Sequence, residues 1–443
     1  MVNVYLTTAK YMILFLMAFY TYSSFYALRN SDKQNLKKVY IWQMIIIYLM
    51  HFIGFTVIYL NVENDTVILF YGVQVIYFIV TMGFSNIFYE KRVNKIVLNN
   101  MCMLLSVGFM ILTRLSYTKA IRQFEILVFA TIIYLIIPKL ITLMKNLRKL
   151  TWVYCVTGLV LLLVVMIIGN VSYGAKLSID LFGFSFQPSE IVKMLYVFFL
   201  GAFLYKECKF KHIIISAIFA GIHVLILVCS RDLGSALIFF VIYLTMIYIA
   251  TGKAVLLFGG LLAGSGAAVI GYKLFSHVRV RVLAYTNPWS VIDNEGYQVT
   301  QSLFAIGTGG WLGLGLCNGK PNKIPVVEED FVFSAIAEEL GGFFALCLIL
   351  LCMSTFMAFV KIASVQIDGF YKLTAIGLAV MYGFQNILTI GGAIKFIPST
   401  GVTLPLVSYG GSSLLATMIL FGIFQGINGV GGEMYEKIKK EHK

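Results

Sequence analysis

Residues 151–171 read TWVYCVTGLVLLLVVMIIGNV, an unbroken run without a charged side chain. A helix rising 1.5 Å per residue over that stretch covers about 30 Å, the thickness of the hydrocarbon core of a bilayer. Backbone can cross that layer only if its hydrogen bonds close within the segment, so the run reads as a transmembrane helix. Comparable runs precede it at 5–28, 40–60, 66–89, 96–113 and 123–144, and others follow at 190–206, 212–229, 232–251, 254–275, 332–358, 371–391 and 405–430. Gly252 and Lys253 supply the turn between two of them. Counting the first, that makes about 13 spans.

Composition agrees. Of 443 residues 60% are hydrophobic and 12% charged, with a mean hydropathy of +0.89, which excludes a water-soluble surface. The 36 Phe and 26 Tyr exclude disorder. Five of the seven Cys (Cys102, Cys155, Cys229, Cys347, Cys352) lie in or against apolar runs without framework spacing, so they read as small core residues rather than a disulfide scaffold. The expected fold is an all-α polytopic bundle.

An odd number of spans puts the termini on opposite sides. With the C-terminus cytoplasmic and the N-terminus outside, the inner connections, including Lys91, Lys145 and Lys443, hold 21 of the 34 basic residues. The net charge of +14 is then explained by sorting across a membrane, and no nucleic acid is expected as a partner. The first span lacks a basic n-region and a small-residue cleavage site, so it is expected to be retained. No internal repeat supports a transporter built from two halves.

Six of the seven prolines fall on the outer side, together with the only long connection, roughly Lys273–Phe331. Such loops in compact proteins are usually functional, which makes the outer face the working face. Within it, Gly296–Gly307 interleaves apolar and polar residues like a short interfacial helix. The next stretch, GTGGWLGLGLCNG, has six glycines between Gly307 and Gly319 and reads either as a close-approach loop for a ligand or as a surface turn. It lacks the GK[ST] of a phosphate loop.

Ionisable residues in or beside spans are costly unless they face a cavity or a partner. The outer half offers Glu190 and Lys193, one helical turn apart; Arg231 and Asp232; Arg279 and Arg281; Glu328, Glu329 and Asp330; and Glu338 and Glu339 deeper in the next span. Each has a plainer reading. Glu190 and Lys193 form either a packing ion pair or part of a site. Asp232 and the 328–330 acids stand where carboxylates cap helices. Arg279 and Arg281 also suit lipid headgroups. Gly260 and Gly264 have helix-packing spacing. The five His are scattered without zinc-ligand spacing.

The strings FSFQPSEIVK (184–193), RDLGSA (231–236), RVLAYTNPW (281–289), GYQVTQSLFAIGTGG (296–310), EDFVFSAIAEELGG (329–342) and IPSTGVTLPLVSYGGSS (397–413) together resemble the shape, elongation, division and sporulation family of FtsW, RodA and SpoVE. The resemblance covers 95–430 and implies a ten-span glycosyltransferase core. It leaves 1–94 as a three-span N-terminal extension and 431–443 as a basic cytoplasmic tail. It further implies a peptidoglycan polymerase of the bacterial cytoplasmic membrane that takes lipid II outside the membrane and works with a class B penicillin-binding protein. Asp330 would be the essential carboxylate, Glu190, Lys193, Asp232 and Arg281 would line the cavity, and Ser408–Ser413 would form part of its wall.

The chemistry suits these residue types. A carboxylate within hydrogen-bond reach removes the proton of the acceptor 4-hydroxyl as it attacks the anomeric carbon, and a single base suffices for inversion. Arg281, Arg279, Lys193 or a divalent cation (Mg or Mn) would neutralise the departing diphosphate. The chain departs from the family pattern at GAKLSI (174–179), where Leu177 and Ser178 replace an Arg and a Trp, and at Leu314 and Thr389. Two alternatives stand beside the polymerase: a non-catalytic scaffold for a cell-wall partner, and a flippase for lipid-linked precursors.

Overall fold

The structure, a computed structural model, describes residues 2–89, 92–144, 146–172, 175–181, 184–206 and 209–441. Lys91, Lys145, Gly174, His442 and Lys443 lie outside the described residues. The elements in chain order are α1 (Val2–Arg29), α2 (Lys33–Val62), α3 (Asp65–Phe88), α4 (Lys95–Leu115), α5 (Tyr117–Leu143) and α6 (Thr151–Ile168). Three strands follow, β1 (Asn170–Ser172), β2 (Ala175–Leu181) and β3 (Phe184–Phe186). The chain continues through α7 (Pro188–Leu204), α8 (Phe210–Cys229), α9 (Leu233–Thr251), α10 (Ala254–Leu274), α11 (Ser276–Thr286) and α12 (Tyr297–Gly309). It ends with α13 (Val332–Leu340), α14 (Gly342–Ser364), α15 (Gly369–Ala393) and α16 (Gly411–Glu441).

The helical membrane bundle stands. Among the described residues 12 helices are long and apolar enough to cross a membrane. The remaining expected span, 190–206, is α7, a helix of only 17 residues. Three details differ from expectation. The span placed at 332–358 is two helices, because Gly341 at φ +92° breaks it. The fold is not purely α, since β1, β2 and β3 form an antiparallel sheet with Asn170 opposite Ser178 and Ile179 opposite Phe186. In AKLSIDL the apolar Leu177, Ile179 and Leu181 alternate with polar residues, the period of a strand. Cys102, Cys155 and Cys352 are buried as expected, whereas Cys229 is exposed. Helix α16 runs on through 431–441.

The chain divides into two compact units. The first comprises Met1–Ile132, Arg281–Ala358 and Asn386–Gly410, so the N-terminal extension shares it with α4. There α2 packs on α1, α3 and α4. Helix α4 is buried along its hydrophobic length, and its polar residues are matched inside the unit. Asn100 Oδ1 accepts from the Tyr20 hydroxyl at 3.1 Å and from Ser24 Oγ at 3.0 Å, while its Nδ2 donates to Ser354 Oγ at 3.0 Å. Asn99 Nδ2 donates to Gln43 Oε1 at 2.9 Å, and His51 Nδ1 lies 3.0 Å from Ser106 Oγ. At Gly108 a Cβ would meet the Leu406 carbonyl oxygen at 2.6 Å, so α4 also seats the loop before Gly411.

The second unit comprises Ile133–Val280, Phe359–Gln385 and Gly411–Lys443. Helix α7 packs on α6, α9 and α16. Gly260 and Gly264 let α10 approach Leu244 and Phe240 of α9, the packing role their spacing suggested.

Candidate active site

Asp330 lies just before the N-cap of α13, at the end of the long connection that follows α10. The N-cap of α13 is Phe331, without a side-chain hydrogen bond, so Glu328, Glu329 and Asp330 are not capping that helix. Arg281 on α11 donates from Nη1 to the Ser399 carbonyl at 3.3 Å. A Cβ placed on Gly401 would stand 3.6 Å from Asp330 Oδ2 and 3.8 Å from Arg281 Nη2. Carboxylate and guanidinium therefore converge on one glycine, whose φ of +72° is a conformation that favours glycine. Burial pushes the Asp330 carboxyl up to about 6, and Arg281 opposes that rise. Burial also raises Glu329, and the neighbouring Asp330 adds to the effect. Thr400 Oγ1, between Ser399 and Gly401, is buried without a hydrogen-bond partner among the described residues.

The glycine-rich stretch approaches protein rather than a bare surface. Leu314 N donates to the Glu338 carbonyl at 3.0 Å, Gly315 N to the Glu339 carbonyl at 2.8 Å, and Gly342 N to the Gly310 carbonyl at 2.8 Å. A Cβ on Gly309 would lie 2.2 Å from the Ala337 carbonyl oxygen, and one on Gly313 would lie 2.4 Å from that of Glu339. The glycines let the loop lie flat on α13. Glu339 Oε2 accepts from Cys317 N at 3.1 Å and Oε1 from Gly319 N at 3.3 Å, while Glu338 Oε1 accepts from Lys320 N at 2.9 Å. The two glutamates are thus backbone ligands for this loop.

In the second unit the expected Glu190–Lys193 pair forms at 2.7 Å, with Lys193 also donating to Gln385 Oε1 at 3.2 Å. Lys193 is only 1% exposed, and its ammonium is buried against these partners. Asp232 caps α9 by accepting from Ser235 N at 3.1 Å, and its other oxygen accepts from Ser189 Oγ at 3.3 Å and Gln187 Nε2 at 3.4 Å. Ser412 ties the QPSE helix to α16, accepting from Gln187 N at 2.8 Å and donating to the Ser185 carbonyl at 3.2 Å.

Asp330 and Arg281 thus stand together in the first unit, and Glu190, Lys193 and Asp232 in the second. Arg279 is exposed, and two residues from Arg281 on one helix it points to another side. Ser178 is buried on β2, and Thr389 donates to the Val402 carbonyl at 2.8 Å. The sequence reading passed over Arg114 and Lys119. Arg114 Nε donates to Glu339 Oε1 at 3.1 Å, and its Nη2 to the Gly319 carbonyl at 3.2 Å. Lys119 pairs with Glu328, and its ammonium sits 5.3 Å from the centre of the Tyr409 ring. The available signal was two cations at the ends of neighbouring spans, where ionisable residues are costly without a partner.

A family model described as cell cycle protein, for FtsW, RodA and SpoVE, matches residues 94–430. Peptidoglycan glycosyltransferase RodA of Mycobacterium bovis is 34% identical over 310 residues, which cover 65% of this chain and 66% of that one. Stage V sporulation protein E of Bacillus subtilis is 34% identical over 292 residues, covering 63% and 78%. The match therefore spans just under two thirds of the mycobacterial relative. Among solved structures, a chain of a peptidoglycan synthase complex, described as coordinating polymerization and crosslinking, superposes with a TM-score of 0.65 at 24% identity, over 76% of this chain and 97% of that one. Rod shape determining protein RodA of Thermus thermophilus gives 0.56 at 23% identity, over 75% and 95%. These two likenesses concern the fold.

Proposed function

Because the chain belongs to the FtsW, RodA and SpoVE family, we propose that it is a peptidoglycan glycosyltransferase, extending glycan strands from lipid II on the outer face of the bacterial cytoplasmic membrane. The observation that carries this reading is the convergence of Asp330 and Arg281 at Gly401. In its ionised form Asp330 accepts the proton of the acceptor 4-hydroxyl while that oxygen attacks the anomeric carbon of the donor with inversion. Arg281 meets the negative charge that gathers on the diphosphate as the bond to the sugar breaks. A base kept near pH 6 by burial is largely ionised at neutral pH and still basic enough to take a proton.

A divalent cation (Mg or Mn) that accompanies the diphosphate remains part of the proposal, needing no more than one or two carboxylates of the protein. Among the described residues no three His, Cys, Asp or Glu gather to hold one, and the acids near Asp330 are turned to cations, Glu328 to Lys119 and Asp330 to Arg281. No step is assigned to a metal here. Roles in substrate binding for Glu190, Lys193, Asp232 and Arg279, a class B penicillin-binding protein as partner, and a cytoplasmic C-terminus belong to the same proposal.

The test is polymerisation of lipid II by the purified full chain. Asp330→Asn is expected to abolish glycan formation while the protein stays folded. Glycan synthesis by that variant at the wild-type rate would remove Asp330 as base, whereas no glycan from the wild-type chain, together with normal growth of cells carrying only Asp330→Ala, would favour the scaffold alternative.

A further inference from the structure

The corner between α4 and α5 sends two cations to the segment that ends in Asp330. Arg114 closes α4 and grips the start of the segment through Glu339 and the Gly319 carbonyl. Lys119, in the first turn of α5, grips its end through Glu328, two residues before Asp330. The backbone reinforces both grips, since Gly319 N and Lys320 N donate to the Glu339 and Glu338 carboxylates, and Tyr409 N donates to the Glu328 carbonyl at 2.7 Å. The corner itself is fixed, with Ser116 N donating to the Leu112 carbonyl at 2.7 Å and Ala120 N to the Ser116 carbonyl at 3.0 Å. Between the grips the chain makes a turn at Pro321–Lys323 and carries Val326 at φ +55°. A segment of that kind holds one conformation only if its ends are held.

We propose that Arg114 and Lys119 are positioning residues that clamp the two ends of segment 319–330 and so fix the place of the Asp330 carboxylate. Neither cation does the chemistry, since each is committed to a carboxylate of the protein, Arg114 to a Glu339 that is 1% exposed and Lys119 to Glu328. The charges match the geometry. Arg114 presents a planar fork that reaches a carboxylate and a carbonyl together, which a lysine in its place cannot do. Lys119 presents a single ammonium between a carboxylate and an aromatic face.

The clamp rests on the polymerase reading only for its consequence, so one readout is independent of activity. Hydrogen exchange is measured on the membrane-embedded full chain for wild type, Lys119→Ala, the charge exchange Lys119→Glu with Glu328→Lys, and the paired change Arg114→Met with Glu339→Gln. The last removes both members of a buried ion pair and leaves no unmatched charge. Faster exchange confined to 317–330 in Lys119→Ala and in the paired change is expected, with wild-type exchange restored by the charge exchange. Lipid II polymerisation by the same proteins is expected to lose about 10- to 100-fold in kcat, with KM within about twofold, as misplacement of a base requires. Unchanged exchange over 317–330 in both disruptive variants overturns the clamp. Faster exchange in Lys119→Ala that the charge exchange does not reverse overturns the positioning role of Lys119. If Asp330→Asn polymerises lipid II, the role of Asp330 as base falls, and if the wild-type chain makes no glycan, the proposed function falls; in either case the exchange measurement alone decides the clamp.

Discussion

Asp330, the base in the proposed reaction, has the clearest pH signature. Its carboxyl is raised from 3.8 to about 6 by burial, with Arg281 acting in the opposite direction. A base works when ionised, so kcat/KM for polymerisation is expected to rise with pH through about 6. Arg281→Gln removes the lowering influence and should move that acid limb to higher pH, besides slowing departure of the diphosphate. The stability consequence has the opposite sense. A folded value above the unfolded one contributes stability that is fully present below the unfolded value and is lost as pH rises through about 6. At pH 7 Asp330→Asn is therefore expected to melt higher than wild type while making no glycan. A melting temperature below wild type would show that the carboxylate is stabilised by its surroundings rather than strained by them. The role proposed for this residue was already implied by the EDFVFSAIAEELGG resemblance. That Arg281 shares its site was also implied by the resemblance, but their meeting at Gly401 was not, because the three residues come from separate stretches of the chain.

At the scale of elements, the glycines decide how loop and helix meet. Gly341 adopts φ +92°, and a Cβ there would lie 2.4 Å from Gly313 N. Gly341→Ala is expected to cost roughly 1–3 kcal/mol, read as a lower melting temperature, because it adds strain as well as a clash. The sequence offered these glycines either to a ligand or to a surface turn. Their partner is α13, whose carbonyl groups they meet, and only the three-dimensional path of the loop brings that helix beneath them. Among the spans, Asn100 joins three helices by bonds to Tyr20, Ser24 and Ser354. Asn100→Leu is expected to lose about 1–3 kcal/mol, given about 0.6 kcal/mol per interhelical bond in a membrane plus the groups left unmatched. Thermal melts in one detergent compare the two proteins. Hydropathy marked α4 as a span but carried no sign of this network, since an Asn inside an apolar run does not announce its partners.

On the scale of the whole molecule, the N-terminal extension is structural cover for α4. Residues 1–93 lie outside the matched region 94–430, yet α1–α3 share a unit with α4, and α1 and α2 supply bonding partners for Asn99 and Asn100. Deleting 1–94 is expected to leave these amides facing lipid and to abolish recovery of monodisperse protein from detergent. Recovery of a stable, monodisperse truncated chain would show that the core needs no such cover. The helical bundle and nearly all its spans followed from the sequence, because lipid allows only segments whose backbone bonds close on themselves and a helix of that kind is written in consecutive residues. The alternating β2 strand was equally local in origin, although three short strands between spans did not stand out. Tertiary structure alone decided which charges meet. Arg114 finds Glu339 and Lys119 finds Glu328, while Arg281 and Asp330 approach the same Gly401, each set coming from distant parts of the chain. Side-chain pairing across such separations depends on where helices pack, and packing in a membrane is set by small residues and buried polar bonds between segments rather than by the hydropathy of any one of them.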